Sequence, residues 1–346
     1  MKTYKHLYEK LCSWENLVDA YEKARKGKGG NPRVLEFDKH WKFHLANLYR
    51  ELKTKTYSPS PLKKFLLRDP KTRTICVSDF RDRIVHHSLV NVLQPIFEPR
   101  FISDSYASRK GKGTLPALNR AKVFLRKVSR NGSLVCGARC SNDVKGFVLK
   151  ADIRHYFECV DHSVLLRILS ERVLDGDVLQ LVTTILENYS SETPKKGMPL
   201  GNWTSQFFAN VYLNELDQFV KRELKVKYYV RYVDDFIMFH DSRETLNRYK
   251  ERIDCFLKEL HLELHPKKCC ITPLQRGVSF LGFRLFYQHT LVRRSNVRTI
   301  MRILKKEIAE CGGTAVIFNR WNGWCAYAMY GNTHTLRSEI ESGILN

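Results

Sequence analysis

Tyr228-Tyr229-Val230-Arg231-Tyr232-Val233-Asp234-Asp235-Phe236-Ile237-Met238-Phe239 reads as two apolar β-runs that meet at a pair of carboxylates. Aromatic and β-branched residues favour strands, and Asp favours the turn between them. Taken alone, such a tip is an ordinary polar hairpin turn. Here the flanks are apolar on both sides, and adjacent carboxylates held in such a place repel unless a cation lies between them. Upstream, Phe147-Val148-Leu149-Lys150-Ala151-Asp152 is another short apolar strand, and it too ends in Asp. Two strands that deliver Asp to one place make a site for hard cations. Mg²⁺ prefers carboxylate oxygen, keeps several waters and bridges to substrate phosphates. Two such ions about 3.5–4 Å apart stabilise the attacking and leaving oxygens of an in-line phosphoryl displacement.

The composition suits such chemistry. The 346 residues imply two or three domains sharing a long core, and the 43% apolar content is globular. Lys and Arg total 59 against 36 Asp and Glu, a formal net charge of +23. That excess points to a polyanion, either nucleic acid or an anionic membrane surface. No apolar run reaches spanning length and no signal-peptide core follows Met1, so nucleic acid is favoured over membrane and a cytoplasmic location is expected. The 10 cysteines are scattered. Cys76, Cys159, Cys255 and Cys325 fall within predicted elements, where a thiol packs as a small apolar group. Cys136 and Cys140, with Cys269 and Cys270, do not supply two clean zinc-ligand pairs.

Periodicity predicts one helix from Leu7 to Tyr21, a basic glycine-rich break, and a second helix after Pro32 that ends before Pro59. Residues 62–85 read as a hairpin turning at Asp69-Pro70-Lys71-Thr72, with Arg68, Lys71, Arg73, Arg81 and Arg83 clustered on it. A helix is expected over 86–97, and residues 126–145 form a basic insertion with no assigned element. Residues 161–189 read as one helix capped by Asp161, and another starts at Thr204 or Ser205. A helix over 243–262 follows the Asp-Asp hairpin. Helical pattern returns from Ser295, with Val297, Ile300, Met301, Leu304 and Ile308 as its apolar stripe. Gly312-Gly313 breaks it before a last helix rich in aromatics.

The Tyr-Val-Asp-Asp tetrad and the upstream Asp-x-x-x-Tyr-Phe resemble the palm motifs of reverse transcriptases. The resemblance covers about residues 62–284. It implies an α+β right-hand polymerase fold: a palm with a mixed or antiparallel sheet packed on helices, fingers before it and a short helical thumb after. Residues 1–60 would be an N-terminal helical extension, 61–150 mainly fingers, 151–290 mainly palm with the primer grip, and 291–346 the thumb. No endonuclease or zinc domain is expected after Asn346. By the same resemblance Asp152, Asp234 and Asp235 are the catalytic carboxylates. Two Mg²⁺ ions, with Mn²⁺ as the alternate, are held by these three together with Ile153. Lys71 and Arg73 face the incoming triphosphate, Phe157 stands where the family has a steric gate against a ribose 2′-OH, and Lys268 fits the register of a lysine near the nucleotide. Arg109, Lys110 and Lys112 in the Gly-Lys-Gly loop suit the template backbone. Phe280, Leu281 and Gly282 lie in the primer-grip hairpin.

One motif departs from the common pattern. Most reverse transcriptases read Gln-Gly-x-x-x-Ser-Pro where this chain has Leu200-Gly201-Asn202-Trp203-Thr204-Ser205-Gln206. Leu200 for Gln and Gln206 for Pro is the pattern of reverse transcriptases from diversity-generating retroelements, and Leu200, Gly201 and Gln206 join the nucleotide-contacting set. This implies a prokaryotic or phage-encoded enzyme that copies a template-repeat RNA into cDNA with errors at template adenines. Its partners would be the RNA/cDNA duplex, deoxynucleoside triphosphates and an oligomeric accessory variability determinant. The alternatives are a retron- or group II-type reverse transcriptase, or a catalytically silent RNA-binding scaffold on the same fold.

Overall fold

The computed structural model describes residues 2–68, 72–189, 191, 193–311 and 314–344. It is α+β, as expected, and the chain divides into two units, each discontinuous in sequence. The first comprises Met1–Ser103, Ile153–Lys225 and Ile253–Leu264; the second comprises Asp104–Asp152, Val226–Arg252 and His265–Asn346.

The first unit is mainly helical, and its helices are shorter than the periodicity suggests. The first expected helix is two, Leu7–Leu11 and Trp14–Arg25. Ser13 separates them and caps the second, accepting from the Asn16 amide at 3.2 Å. The next is also two, Pro32–Lys39 and Trp41–Lys53, parted at His40, whose φ of −132° leaves the helical region. The stretch 161–189 yields His162–Ser170 and Gly176–Glu187. Asp161 caps the first of these and Asp175 the second. The Asp175 carboxylate also accepts from the amides of Leu7 and Tyr8, at 2.7 and 2.9 Å, so one side chain serves two helix starts. An apolar stripe can run unbroken through such joints, which is why periodicity alone merges them.

The expected hairpin is present as β1 (Lys63–Leu67) and β2 (Arg73–Val77), paired antiparallel from Lys63↔Val77 to Leu67↔Arg73. It is shorter than predicted. Asp79 caps a helix, Phe80–Phe97, by accepting from the Arg81 amide at 3.2 Å. Arg81 and Arg83 are therefore helical rather than on a strand. Arg81 is ion-paired with Glu51, and Arg83 Nε donates to the Ser78 carbonyl at 3.1 Å. The helix Trp203–Gln218 begins one or two residues before the expected start at Thr204 or Ser205 and runs on into a π-helical turn, Phe219–Glu223.

The second unit is built on an antiparallel sheet. Its strands are β3 (Phe147–Asp152), β4 (Tyr229–Tyr232), β5 (Asp235–His240) and β6 (Cys270–Pro273), in the order β4-β5-β3-β6. β3 is interior, which accounts for its nearly continuous apolar run. The helix Thr114–Val128 covers the sheet, placing Ala117, Ala121, Phe124 and Leu125 in one cluster with Val148, Val230, Ile237 and Phe239. Most of these side chains are at or near full burial, and each of the Val, Ile, Leu and Phe side chains contributes about 1.5–3 kcal/mol on transfer from water. Beyond Val128 the unassigned basic stretch is a loop closed by a bridge between Leu134 and Val144.

A three-stranded meander follows, β7 (Val278–Phe280), β8 (Phe283–Leu285) and β9 (Thr290–Val292). Then come the helices Arg294–Cys311, Thr314–Ala328 and His334–Ile344. Ile300, Leu304, Ile317, Trp321 and Ile340 form their core. Ile308, expected in the stripe, is 43% exposed. The helix Arg243–Glu259 is shorter than the predicted 243–262. The predicted break at Gly312-Gly313 lies outside the described residues, as do Asp69, Pro70 and Lys71 of the hairpin turn. The described cysteines are free thiols; Cys76 is buried as expected, whereas Cys255 is exposed. No helix among the described residues is long and apolar enough to cross a membrane.

Candidate active site

β3 ends where the antiparallel β5 begins, and that fixes two carboxylates. Their ladder runs from Phe147↔His240 to Asp152↔Asp235, so the two Asp residues are cross-strand partners on its last rung. Directly opposed residues have Cβ atoms about 4.5–5.5 Å apart, where like charges destabilise the pair. The structure answers with cations. Lys268 Nζ lies 2.7 Å from Asp152 Oδ1, and Lys150 Nζ lies 3.2 Å from Asp235 Oδ2. Asp235 Oδ1 is buried with no hydrogen-bond partner. Burial pushes the Asp235 carboxyl up to about 6, with Asp152 and Asp234 adding to the rise and Lys150 opposing it.

Asp234 is half-buried in the turn between β4 and β5. The preceding Val233 has φ 54°, a left-handed conformation that is a genuine outlier for a β-branched residue. Arg231 supports this turn from below. It is fully buried, donates from Nη1 to the Val233 carbonyl at 3.1 Å and from Nη2 to the Ser105 hydroxyl at 3.1 Å. Lys150 and Arg231 are functional candidates outside the set expected from sequence. The signal was there: each is a cation inside an otherwise apolar strand.

Among the described residues no trio of His, Cys, Asp or Glu side chains stands as a ready metal cage. Mg²⁺ does not require one, since it is usually bound by one or two carboxylates, waters and substrate phosphates. The donor set fits it: opposed carboxylates and a buried, unpartnered carboxylate oxygen. Ile153, the residue after Asp152 named in the expected metal set, belongs to the first unit, where it opens the second segment and pairs with Leu264 as an isolated bridge.

Lys268 reaches Asp152 because its segment is anchored: the His265 amide donates to the Asp152 carbonyl at 2.8 Å, and β6 pairs with β3. In the same unit, β7 and β8 turn at Leu281 and Gly282, with φ of 45° and 87°. Positive φ at both central residues is what a type I′ hairpin needs. Phe280 is fully buried beneath that turn. In the loop before the helix Thr114–Val128, Arg109 Nη1 donates to the Ser105 carbonyl at 2.9 Å, Lys110 is exposed, and Lys112 sits 5.0 Å over the Tyr106 ring.

The remaining predicted nucleotide contacts belong to the first unit, and several are tied together there. The Cys76 amide of β2 donates to the Leu200 carbonyl at 2.9 Å. Gly201 has φ +116°, and a Cβ on it would lie 3.1 Å from the Cys76 carbonyl, so glycine permits the close approach. The Leu200-Gly201 turn is thereby fastened to the strand that begins at Arg73. Arg73 is exposed and Leu200 half-buried. Phe157, half-buried in the short helix Tyr156–Cys159, offers its carbonyl to the Met198 amide at 2.6 Å. Gln206 is exposed on the first turn of the helix Trp203–Gln218. Lys71 lies outside the described residues.

Residues 62–285 match the family profile described as reverse transcriptase (RNA-dependent DNA polymerase). Among curated proteins, the chain is 24% identical to the group II intron-encoded protein LtrA of Lactococcus lactis subsp. cremoris, covering 86% of this chain and 59% of that one. The chain thus spans about three-fifths of that relative's length. It is 25% identical to protein YkfC of Escherichia coli K12, covering 75% of each. Among solved structures, telomerase from Candida albicans in complex with a telomeric RNA fragment aligns with TM-score 0.48 at 13% identity, over 76% of this chain and 55% of that one.

Proposed function

We propose a function from one fixed starting point: this chain belongs to the reverse transcriptase family, with that family's right-hand polymerase fold. The chain is an RNA-directed DNA polymerase that extends a primer 3′-hydroxyl with deoxynucleoside triphosphates. The observation that carries this reading is the opposition of Asp152 and Asp235 on the last rung of the β3–β5 ladder, with Asp234 in the adjoining turn. Asp152 and Asp234 would hold the divalent ions and Asp235 would assist. When bound, the ions supply charge neutralisation for in-line phosphoryl transfer. The protein's own part is positioning. Lys268 holds Asp152, Lys150 holds Asp235, and Arg231 holds the turn. With little covalent chemistry left to perform, such placement decides the rate.

The finer reading is a reverse transcriptase of a diversity-generating retroelement, copying a template-repeat RNA with errors at adenine and working with an oligomeric accessory protein. Leu200 and Gln206 support it. Leu200 offers no side-chain hydrogen bond, and apolar pockets discriminate by only about 1–3 kcal/mol per group. The 24% identity to an intron-encoded protein supports a second reading, a group II-type enzyme without errors directed to adenine. The net charge of +23 suits either, since an A-form duplex is held largely through its backbone.

Primer extension on an RNA template with Mg²⁺, run beside Asp234→Asn, tests the activity. Extension by the parent and none by the variant is expected; equal extension by both removes the carboxylate assignment. Sequencing cDNA from a template with scattered adenines separates the two readings. Errors concentrated opposite adenine support the retroelement type, and an even, low error rate supports the group II type.

A further inference from the structure

Lys150 lies two residues before Asp152 on β3, so both side chains leave the same face of the strand. Its ammonium has two partners. One is Asp235 Oδ2 at 3.2 Å, and the other is the Ser279 carbonyl at 3.1 Å. Ser279 is the middle residue of β7, the strand that leads into the Leu281-Gly282 turn. The Lys150 and Asp235 side chains are each only 22% exposed, so this is not a screened surface pair. A lysine withdrawn from water in an interior strand carries a desolvation cost that specific partners must offset.

We propose that Lys150 is a positioning residue that ties the β7–β8 hairpin to the carboxylate pair through a single ammonium. The inference rests on the polymerase reading, in which that hairpin meets the primer end. It assigns Lys150 two effects of opposite sign. The hydrogen bond to Ser279 holds the hairpin against the sheet, so losing it weakens primer placement. The positive charge beside Asp235 opposes a divalent cation, so losing it tightens cation binding. A lysine that merely supported the fold would weaken both together.

Lys150→Met, Lys150→Gln and Lys150→Arg distinguish these cases. Two measurements use primer extension: KM for primer–template, and the Mg²⁺ concentration at half-maximal rate. The third is amide hydrogen exchange over residues 278–285 in protein free of added metal. For Met, KM for primer–template is expected to rise about fivefold, the half-maximal Mg²⁺ to fall two- to fivefold, and exchange in the hairpin to accelerate about tenfold. Arg keeps the charge and is expected to restore the parent Mg²⁺ requirement. Gln, which removes the charge but keeps a donor, replaces Met in the comparison if Met fails to fold. An unchanged or higher Mg²⁺ requirement with unchanged hairpin exchange overturns the proposal. If the parent protein extends no primer on any template, the polymerase reading fails, and the exchange measurement alone decides the tether.

Discussion

Arg231 donates to the carbonyl of Val233 at 3.1 Å, bracing from within the sheet the turn that presents Asp234. Val233 keeps a left-handed φ of 54°. Such strain, of order 1–3 kcal/mol, persists only where the surroundings over-determine it. Replacing Arg231 by Met removes both of the hydrogen bonds described above, with an expected loss of about 2–4 kcal/mol of stability. The turn would also relax, and misplacement by about 1 Å costs roughly 10²-fold in rate. Thermal unfolding and single-turnover extension check the two effects separately. A variant that is less stable yet extends primers at the parent rate would show that Arg231 serves packing alone.

Asp235 sits where burial disfavours a carboxylate even with Lys150 at 3.2 Å. Its Oδ1 is buried and unpartnered, and Asp152 faces it across the ladder. Asp235→Asn removes that repulsion. In EDTA the variant is expected to melt about 1–2 °C above the parent, a gain on the order of 1 kcal/mol in a chain of this size. Its extension rate with Mg²⁺ is expected to fall at least tenfold. This is the trade found where a site is built for a ligand rather than for stability. A variant with unchanged rate and lower melting temperature would contradict it.

How far the sequence disclosed these features depended on how locally each is encoded. β3 appeared over its full length, because a contiguous apolar run ending in Asp has few other readings. The β7–β8 turn is legible only through the family resemblance, and Gly282 there takes a positive φ that few residues accept. Helix joints were not. Ser13 and Asp175 are ordinary polar residues until their side chains are seen accepting backbone amides. Pattern alone places Arg81 on a basic strand, because its partner Glu51 lies 30 residues away and no period links them. Lys150 and Arg231 escape a sequence reading for a related reason. Their partners, Ser279 and Ser105, are brought to them by tertiary contacts.

His86 gives the fold a specific sensitivity to acid. It is buried in the helix Phe80–Phe97, with Nδ1 unpartnered. Burial, reinforced by His87 and Arg83, lowers it to about 3. An unfolded histidine titrates near 6.5. Below that pH the unfolded chain takes up a proton that the folded one refuses. This contribution is complete above pH 6.5 and is lost as pH falls toward 3, at about 1.4 kcal/mol per pH unit. His86→Leu removes the titrating group. Urea unfolding at pH 7 and pH 5 is expected to show the parent losing about 2 kcal/mol more than the variant across that interval. Parallel losses would mean that His86 does not govern the acid limb. His87, lowered to about 4 mainly by burial, adds a similar loss to parent and variant alike across that interval.

Leu200 allows the proposed copying behaviour to be altered without touching the backbone that holds it. Its carbonyl, not its side chain, is the group bonded to Cys76, and the neighbouring Gly201 provides the close approach to β2. Leu200→Gln therefore exchanges a half-buried apolar side chain for one that can hydrogen-bond, while leaving the turn in place. Stability is expected to stay within about 0.5 kcal/mol, as for most partly exposed substitutions. Misincorporation opposite template adenine is expected to fall about tenfold, because a hydrogen-bonding site rejects an ill-fitting pair more strongly than an apolar one. Errors opposite the other template bases would change little. The measurement is deep sequencing of cDNA made by both proteins from one RNA. An identical error spectrum in a folded, active variant would detach fidelity from this position and remove the main support for the retroelement reading.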